Sequence, residues 1–168
     1  YGASKLAGES LITSYSYAYG LQSYIFRFVT ILGKRYTHGH VVDFYKKLMN
    51  NNKILKILGD GTQTKSYLHV KDCIRALFKA IESDNEKLIN IYNIGTPETI
   101  TVTNSAKLIA NRLGFNPTFE YSGGDRGWIG DNPLIHLCCK RIKKELAWEP
   151  NYSIKESLLD TVDYLIEQ

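Results

Sequence analysis

The chain has 168 residues, 43% of them hydrophobic and 23% charged; it is long enough for one ordinary core and too apolar for a disordered or fibrous protein. Its formal net charge of +4 comes from scattered pairs (Lys34-Arg35, Lys46-Lys47, Lys140-Arg141, Lys143-Lys144), not from a run of the kind that binds a nucleic-acid polymer. Such pairs suit a solvated helix face or a mild field for an anionic small molecule equally well. Cys73, Cys138 and Cys139 offer neither a disulfide framework nor metal-ligand spacing, which predicts reduced thiols, a cytoplasmic protein and no metal site. No stretch has the length of a membrane span and no signal-peptide pattern opens the chain.

Tyr1-Gly2-Ala3-Ser4-Lys5 begins a helix predicted to run to about Tyr19 and to stop at Gly20. Four positions apart, Tyr1 and Lys5 stack on one face, and an ammonium near a phenol favours phenolate, a useful base near neutral pH. Taken alone, the spacing is equally an accident of an amphipathic helix. Leu6, Ser10 or Leu11, Ser14 and Tyr17 follow one side of that helix, as core or as a subunit contact. Ser23–Val29 is a continuous apolar run, predicted to be a strand covered on both sides. Arg27 inside it needs a carboxylate or carbonyl partner.

Gly33–Gly39 reads as a loop and Val41–Asn50 as a helix. Ile54–Leu58 is a strand running into Gly59-Asp60-Gly61, a tight turn that demands positive φ. Ser66–Val70 extends again, and Asp72 caps or begins a helix to about Ile81. Leu88–Ile94 is a strand, Thr103 the expected N-cap of a helix through Leu113, and Thr118–Tyr121 a brief strand. Gly123–Pro133 is a glycine-rich loop; helices over about Cys138–Leu146 and Ile154–Ile166 complete the chain. Alternating strands and helices predict an α/β fold. No Gly-x-Gly-x-x-Gly cradle for a dinucleotide pyrophosphate occurs anywhere.

Five segments resemble the extended short-chain dehydrogenases, in the UDP-glucose 4-epimerase-like branch of the NAD-dependent epimerase/dehydratase family. They are Tyr1-Gly-Ala-Ser-Lys5, Phe26-Arg-Phe-Val-Thr-Ile-Leu-Gly33, Ile57–Asp72 with its Gly-Asp-Gly-Thr-Gln-Thr-Lys core, Tyr92-Asn-Ile-Gly95 and Leu146-Ala-Trp-Glu-Pro150. Their order and spacing fit along the whole chain. The resemblance implies the C-terminal portion of a Rossmann-like enzyme. Residues 1–35 would be the last helix and strand of its cofactor domain. Residues 36–168 would mainly form the smaller α/β substrate-binding domain, with 66–95 partly crossing back.

It implies further that Tyr1 is the catalytic acid/base, that Lys5 holds the nicotinamide ribose of NAD, and that the substrate is a nucleotide-diphosphate sugar. The expected activity is UDP-hexose 4-epimerisation, with a 4,6-dehydratase or sugar reductase as alternative, and a homodimer when full length. A second alternative is a non-catalytic fragment with at most weak nucleotide-sugar binding. The glycine-rich half and an upstream Ser or Thr would lie before Tyr1 in a further piece of about 100–200 residues, so the 168 residues alone are expected to be inactive.

Lys65 stands where relatives use an Arg on the diphosphate, keeping the charge without the bidentate fork. Thr30 stands where they commonly use Asn beside the nicotinamide, and is read as lining the substrate site. Arg126 either grips the diphosphate, with Trp128 packing on a base or the rim, or pairs with Asp125 or Asp131 while Trp128 anchors the loop to the core. Gln63 and Tyr67 are read as scaffold or pocket wall. His69, Trp148, Pro150 and the cysteine pair are read as structural.

Overall fold

The computed structural model describes all residues, 1–168. The elements are α1 (Gly2–Tyr19), β1 (Ser23–Phe28), β2 (Thr30–Leu32), α2 (His40–Asn50), β3 (Ile54–Ile57), β4 (Thr64–Lys65), β5 (Tyr67–His69), α3 (Val70–Ile81), β6 (Ile89–Ile94), β7 (Ile100–Thr101), α4 (Val102–Arg112), β8 (Thr118–Tyr121), α5 (Lys140–Leu146) and α6 (Ile154–Ile166). The α/β reading holds. Strands pair as β1 with β6, β2 with β5 and β3 with β8, all parallel, and β4 with β7 antiparallel.

Two cores result. In the first, β3 sends Leu55 and Ile57 inward while Ile54 and Lys56 face out, the period-two alternation of a strand covered on one face. They meet Val41, Phe44 and Leu48 of α2, Ala106 and Ile109 of α4, and Leu158 and Val162 of α6. In the second core, Tyr92 and Ile94 of β6 pack with Val29, Leu68, Ala76 and Ala80, closed by Ile142, Leu146 and Trp148 from α5 and the turn after it.

Several local expectations are corrected. The Ser23–Val29 run is not covered on both sides: β1 has one strand neighbour, Ile25 and Val29 are buried, and Arg27 and Phe28 are exposed. Arg27 does find its carboxylate, a bidentate contact to Glu9 of α1 (Nε–Oε1 2.8 Å, Nη2–Oε2 2.5 Å) that holds the Glu9 carboxyl below its ordinary range, but its side chain is 49% exposed. Leu6, Leu11 and Tyr17 of α1 lie open in this structure. The N-cap of α4 is Thr101, which accepts from Asn104 N–H, while the Thr103 hydroxyl donates to Gly61 O across the turn.

The cap of α3 is His69 rather than Asp72: the His69 Nδ1 accepts from Lys71 N–H. Asp72 lies inside that helix. Its buried carboxylate accepts from Arg75 and from the N–H groups of Asn151 and Tyr152. The expected strand over Ser66–Val70 shortens to β5, with Ser66 outside it and Val70 already in α3, and α5 begins at Lys140, after the cysteine pair.

The Gly59-Asp60-Gly61 turn has the predicted backbone, with φ 80° at Gly59 and 78° at Gly61. A Cβ on Gly61 would lie 2.2 Å from Thr103 Oγ1 and 2.4 Å from the Tyr121 ring. By contrast, Ala147 caps α5 in the left-handed region at φ 47°, where glycine bears no Cβ penalty. Gly61→Ala should therefore lower stability by about 2–4 kcal/mol in urea melts. Ala147→Gly should raise it, by up to about 1 kcal/mol.

Candidate functional site

α1 and β1 bound a cleft of about 860 Å³ lined by Tyr1, Lys5, Glu9, Phe26, Arg27 and Phe28, among others. The helical spacing does what it predicts: Lys5 Nζ lies 5.3 Å from the centre of the Tyr1 ring, and Lys5 N–H and the Ser4 hydroxyl both bond Tyr1 O. The Tyr1 side chain is 95% exposed, so its hydroxyl is open to whatever occupies the cleft. Phe26 and Phe28 supply a flat apolar wall, and the Glu9–Arg27 pair supplies a polar edge.

A second cavity of about 180 Å³ opens between α2, the Gly59–Gly61 turn and the glycine-rich loop. Phe44, Leu58, Val102 and Trp128 form its apolar surface; its polar lining is His40, Gln63 and Tyr67 with two ion pairs, Lys65–Asp131 and Lys47–Asp43. Lys65 Nζ donates to Asp131 Oδ1 at 2.6 Å and to Asn132 O. Asp131 Oδ2 in turn accepts from Gly127 N–H at 3.2 Å. The one ammonium read from sequence as an anion grip is thus clasped to the loop. Trp128 is 65% exposed and lies across Gly130, where an added Cβ would be 2.2 Å from its ring. It forms the rim of the cavity and does not anchor the loop to a core.

The remaining candidates lie outside both cavities. Thr30 is exposed at the start of β2, paired in register with Tyr67. Arg126 is half exposed, with Nε 4.0 Å from Asp125 Oδ2, so its contact is the neighbouring carboxylate and Asp131 belongs to Lys65. The structure therefore brings Tyr1 and Lys5 together in one cleft and sets Lys65 in another. β1 and β2 run between them: Phe28 lines the first, and Thr30 pairs with Tyr67 of the second.

Sequence reasoning missed His40. The first residue of α2, it is mostly buried, with Nε2 2.7 Å from Ser105 Oγ and Nδ1 3.1 Å from the Tyr67 hydroxyl, stacked on that ring at 5.0 Å between centroids. Burial pulls its pKa down to about 4; the Asp43 carboxylate opposes that shift and the Lys65 ammonium adds to it. Burial also drives the Tyr67 hydroxyl well above its ordinary range. The His40–Tyr67 stretch of the wall is therefore neutral at physiological pH and presents hydroxyl and imidazole hydrogen-bonding groups. The only sequence signal was a histidine directly before an amphipathic run. Gln63, wedged against Gly59 and almost fully buried, keeps its Oε1 without a hydrogen-bond partner. His69 is structural as expected: buried, bonded to Asp160 and stacked on Tyr152 at 4.0 Å.

Residues 1–95 match the NAD dependent epimerase/dehydratase family, and the chain belongs to it. A putative UDP-glucose 4-epimerase of Methanocaldococcus jannaschii is 30% identical over 98% of this chain and 52% of its own length. Among solved structures, a Thermotoga maritima UDP-glucose 4-epimerase with UDP-glucose superposes with a TM-score of 0.84 at 30% identity, over 99% of this chain and 53% of that one. A Bacillus cereus UDP-glucuronic acid 4-epimerase, in complex with UDP-glucuronic acid and NAD, gives 0.85 at 26% identity, over 99% and 52%. The chain spans about half the length of the relatives it matches.

His40 also sets a pH dependence. In the unfolded chain a histidine titrates near its ordinary value, so between about pH 6.5 and 4 the unfolded state binds the extra proton. Stability should be full above that window and fall through it, by a few kcal/mol at most. Melts of wild type and His40→Asn from pH 8 to 4 check this: the variant should lose part of the acid-side decline.

Proposed function

We propose that the full-length protein is an NAD-dependent nucleotide-sugar epimerase acting on a UDP-hexose at C4. The observation that carries this reading is the Tyr1–Lys5 pair, held one helical turn apart at the rim of an open cleft. The family and the relatives' names support it from the other side. The cleft suits the nicotinamide end of NAD: it has an aromatic wall and an ammonium beside a phenol. No Gly-x-Gly-x-x-Gly loop lies among residues 1–168, so the fit covers that end alone.

When bound, NAD supplies the hydride acceptor and donor. Tyr1 takes the proton from the sugar hydroxyl as oxidation proceeds and returns it after the sugar has turned over, with Lys5 beside it holding the ribose. The second cavity binds the nucleoside diphosphate. There Lys65 leaves Asp131 for a phosphate oxygen, exchanging one charge-assisted hydrogen bond for another. Arg126 swings onto the same diphosphate from the loop, Thr30 lines the path between the cavities, and Trp128 covers the base.

The domain division we propose falls near residue 35, with 66–95 crossing back. It is supported by Val29, Leu68, Cys73, Tyr92 and Ile94 sharing one core. Three free cysteines suit a cytoplasmic setting, and the exposed apolar side of α1 suits a homodimer of the full-length protein.

The full-length protein with NAD and UDP-glucose should yield the 4-epimer. A keto-deoxy sugar would make it a dehydratase, and no product from any UDP-hexose would overturn the reading. Tyr1→Phe should lower kcat about 10²–10⁴-fold with little change in KM. Residues 1–168 alone should show no turnover.

A further inference from the structure

A third cavity, about 460 Å³ in volume, shares no lining residue with the other two. It lies where β6 ends and α5 begins, and its wall includes Leu137, Pro97, Trp148 and Pro150. Cys138, Cys139, His136, Lys140 and Lys143 also line it. The backbone carrying the two thiols is held in place: Asn93 Nδ2 of β6 donates to Cys138 O at 3.1 Å, and Cys139 Sγ contacts Leu137 O at 3.6 Å.

The Trp148 ring, buried in the second core, has an indole N–H without an acceptor. Lys143 pairs with Glu149, while Lys140 has no carboxylate partner and stays exposed beside Cys138. The site thus combines an exposed sulfur, a free ammonium, an apolar wall and an unpartnered buried donor.

We propose that this cavity is a thiol-modification site in which Cys138 takes up an anionic low-molecular-weight disulfide of the glutathione type. The three thiols are not equivalent. Cys73 is buried and Cys139 half-buried, and burial raises both thiols out of the range in which thiolate forms easily; Cys138 alone is exposed.

The exchange is balanced. Cys138 gives its proton to solvent and its thiolate attacks one sulfur of the disulfide. The reagent's S–S bond breaks as the S–Cys138 bond forms, and the other half leaves as a thiolate that takes up a proton. The disulfide is the oxidant and no other co-reactant is needed. Lys140 attracts the reagent's carboxylates, and Leu137, Pro97 and Pro150 cover its backbone. The adjacent thiols do not close on one another: Cα atoms across a trans peptide are about 3.8 Å apart, short of the usual disulfide span. The adduct therefore persists until an outside thiol removes it.

The test follows adduct formation on the folded chain by intact mass and peptide mapping, using glutathione disulfide and, as a cationic counterpart, cystamine. The same chain unfolded in urea sets the intrinsic reactivity of each reagent. The first adduct should fall on Cys138, persist in Cys139→Ser and Cys73→Ser, and vanish in Cys138→Ser. Relative to the unfolded chain, glutathione disulfide should be favoured over cystamine by several-fold, a preference that shrinks in Lys140→Gln and at high salt. First labelling of Cys73 or Cys139, or equal relative rates for the two reagents, would overturn the proposal.

Discussion

Successive side chains of β5 enter different cores. Tyr67 packs with Leu32, Phe44 and Leu55, whereas its neighbour Leu68 packs with Val29, Ala76 and Tyr92. A strand puts adjacent residues on opposite faces, so three residues are enough to tie both cores to one backbone. A register slip of one position would send each side chain into the wrong core. The following residues secure the arrangement. His69 caps α3 and reaches Asp160 of α6, and Asp72 holds the backbone at Asn151 and Tyr152. Both groups are buried and fully engaged, so their polarity is compensated in place.

That anchoring also positions the candidate site. The Tyr67 hydroxyl meets His40, which meets Ser105, so one hydrogen-bonded row joins β5, α2 and α4 along the wall of the second cavity. Two residues before Tyr67, Lys65 reaches across to Asp131 on the glycine-rich loop. The loop is thereby closed over the cavity by a single ion pair whose two side chains are mostly buried. Taking Lys65 out of such a pair leaves a mostly buried carboxylate uncompensated, so an anion that captures Lys65 also requires Asp131 to turn out to solvent.

Much of the fold was readable in local pattern. The Gly59-Asp60-Gly61 turn, the amphipathic α2 and α4, and the Tyr1–Lys5 stacking each follow from short-range spacing, and each is found. The burial of β1 was not readable, because a continuous apolar run carries no information on how many neighbours a strand has; here it has one. Thr103 yielded the cap to Thr101 because Gly61 O, distant in sequence, claims its hydroxyl. At the candidate site, the motif singles out Lys65 as a candidate. Its clasp to Asp131, 66 residues away, was not legible, and His40 became a wall residue only once β5 was laid against α2. Long-range contacts of this kind are what single-sequence patterns omit.

The central claim is that the second cavity is the nucleoside-diphosphate site, with Lys65 as its anion contact. Calorimetric titration of UDP-glucose into the folded chain and into Lys65→Gln tests it most directly. The expected result is saturable binding that weakens about tenfold or more in the variant, the loss expected for a charge-assisted hydrogen bond. Equal affinities in the two chains, or no binding to either, would contradict it.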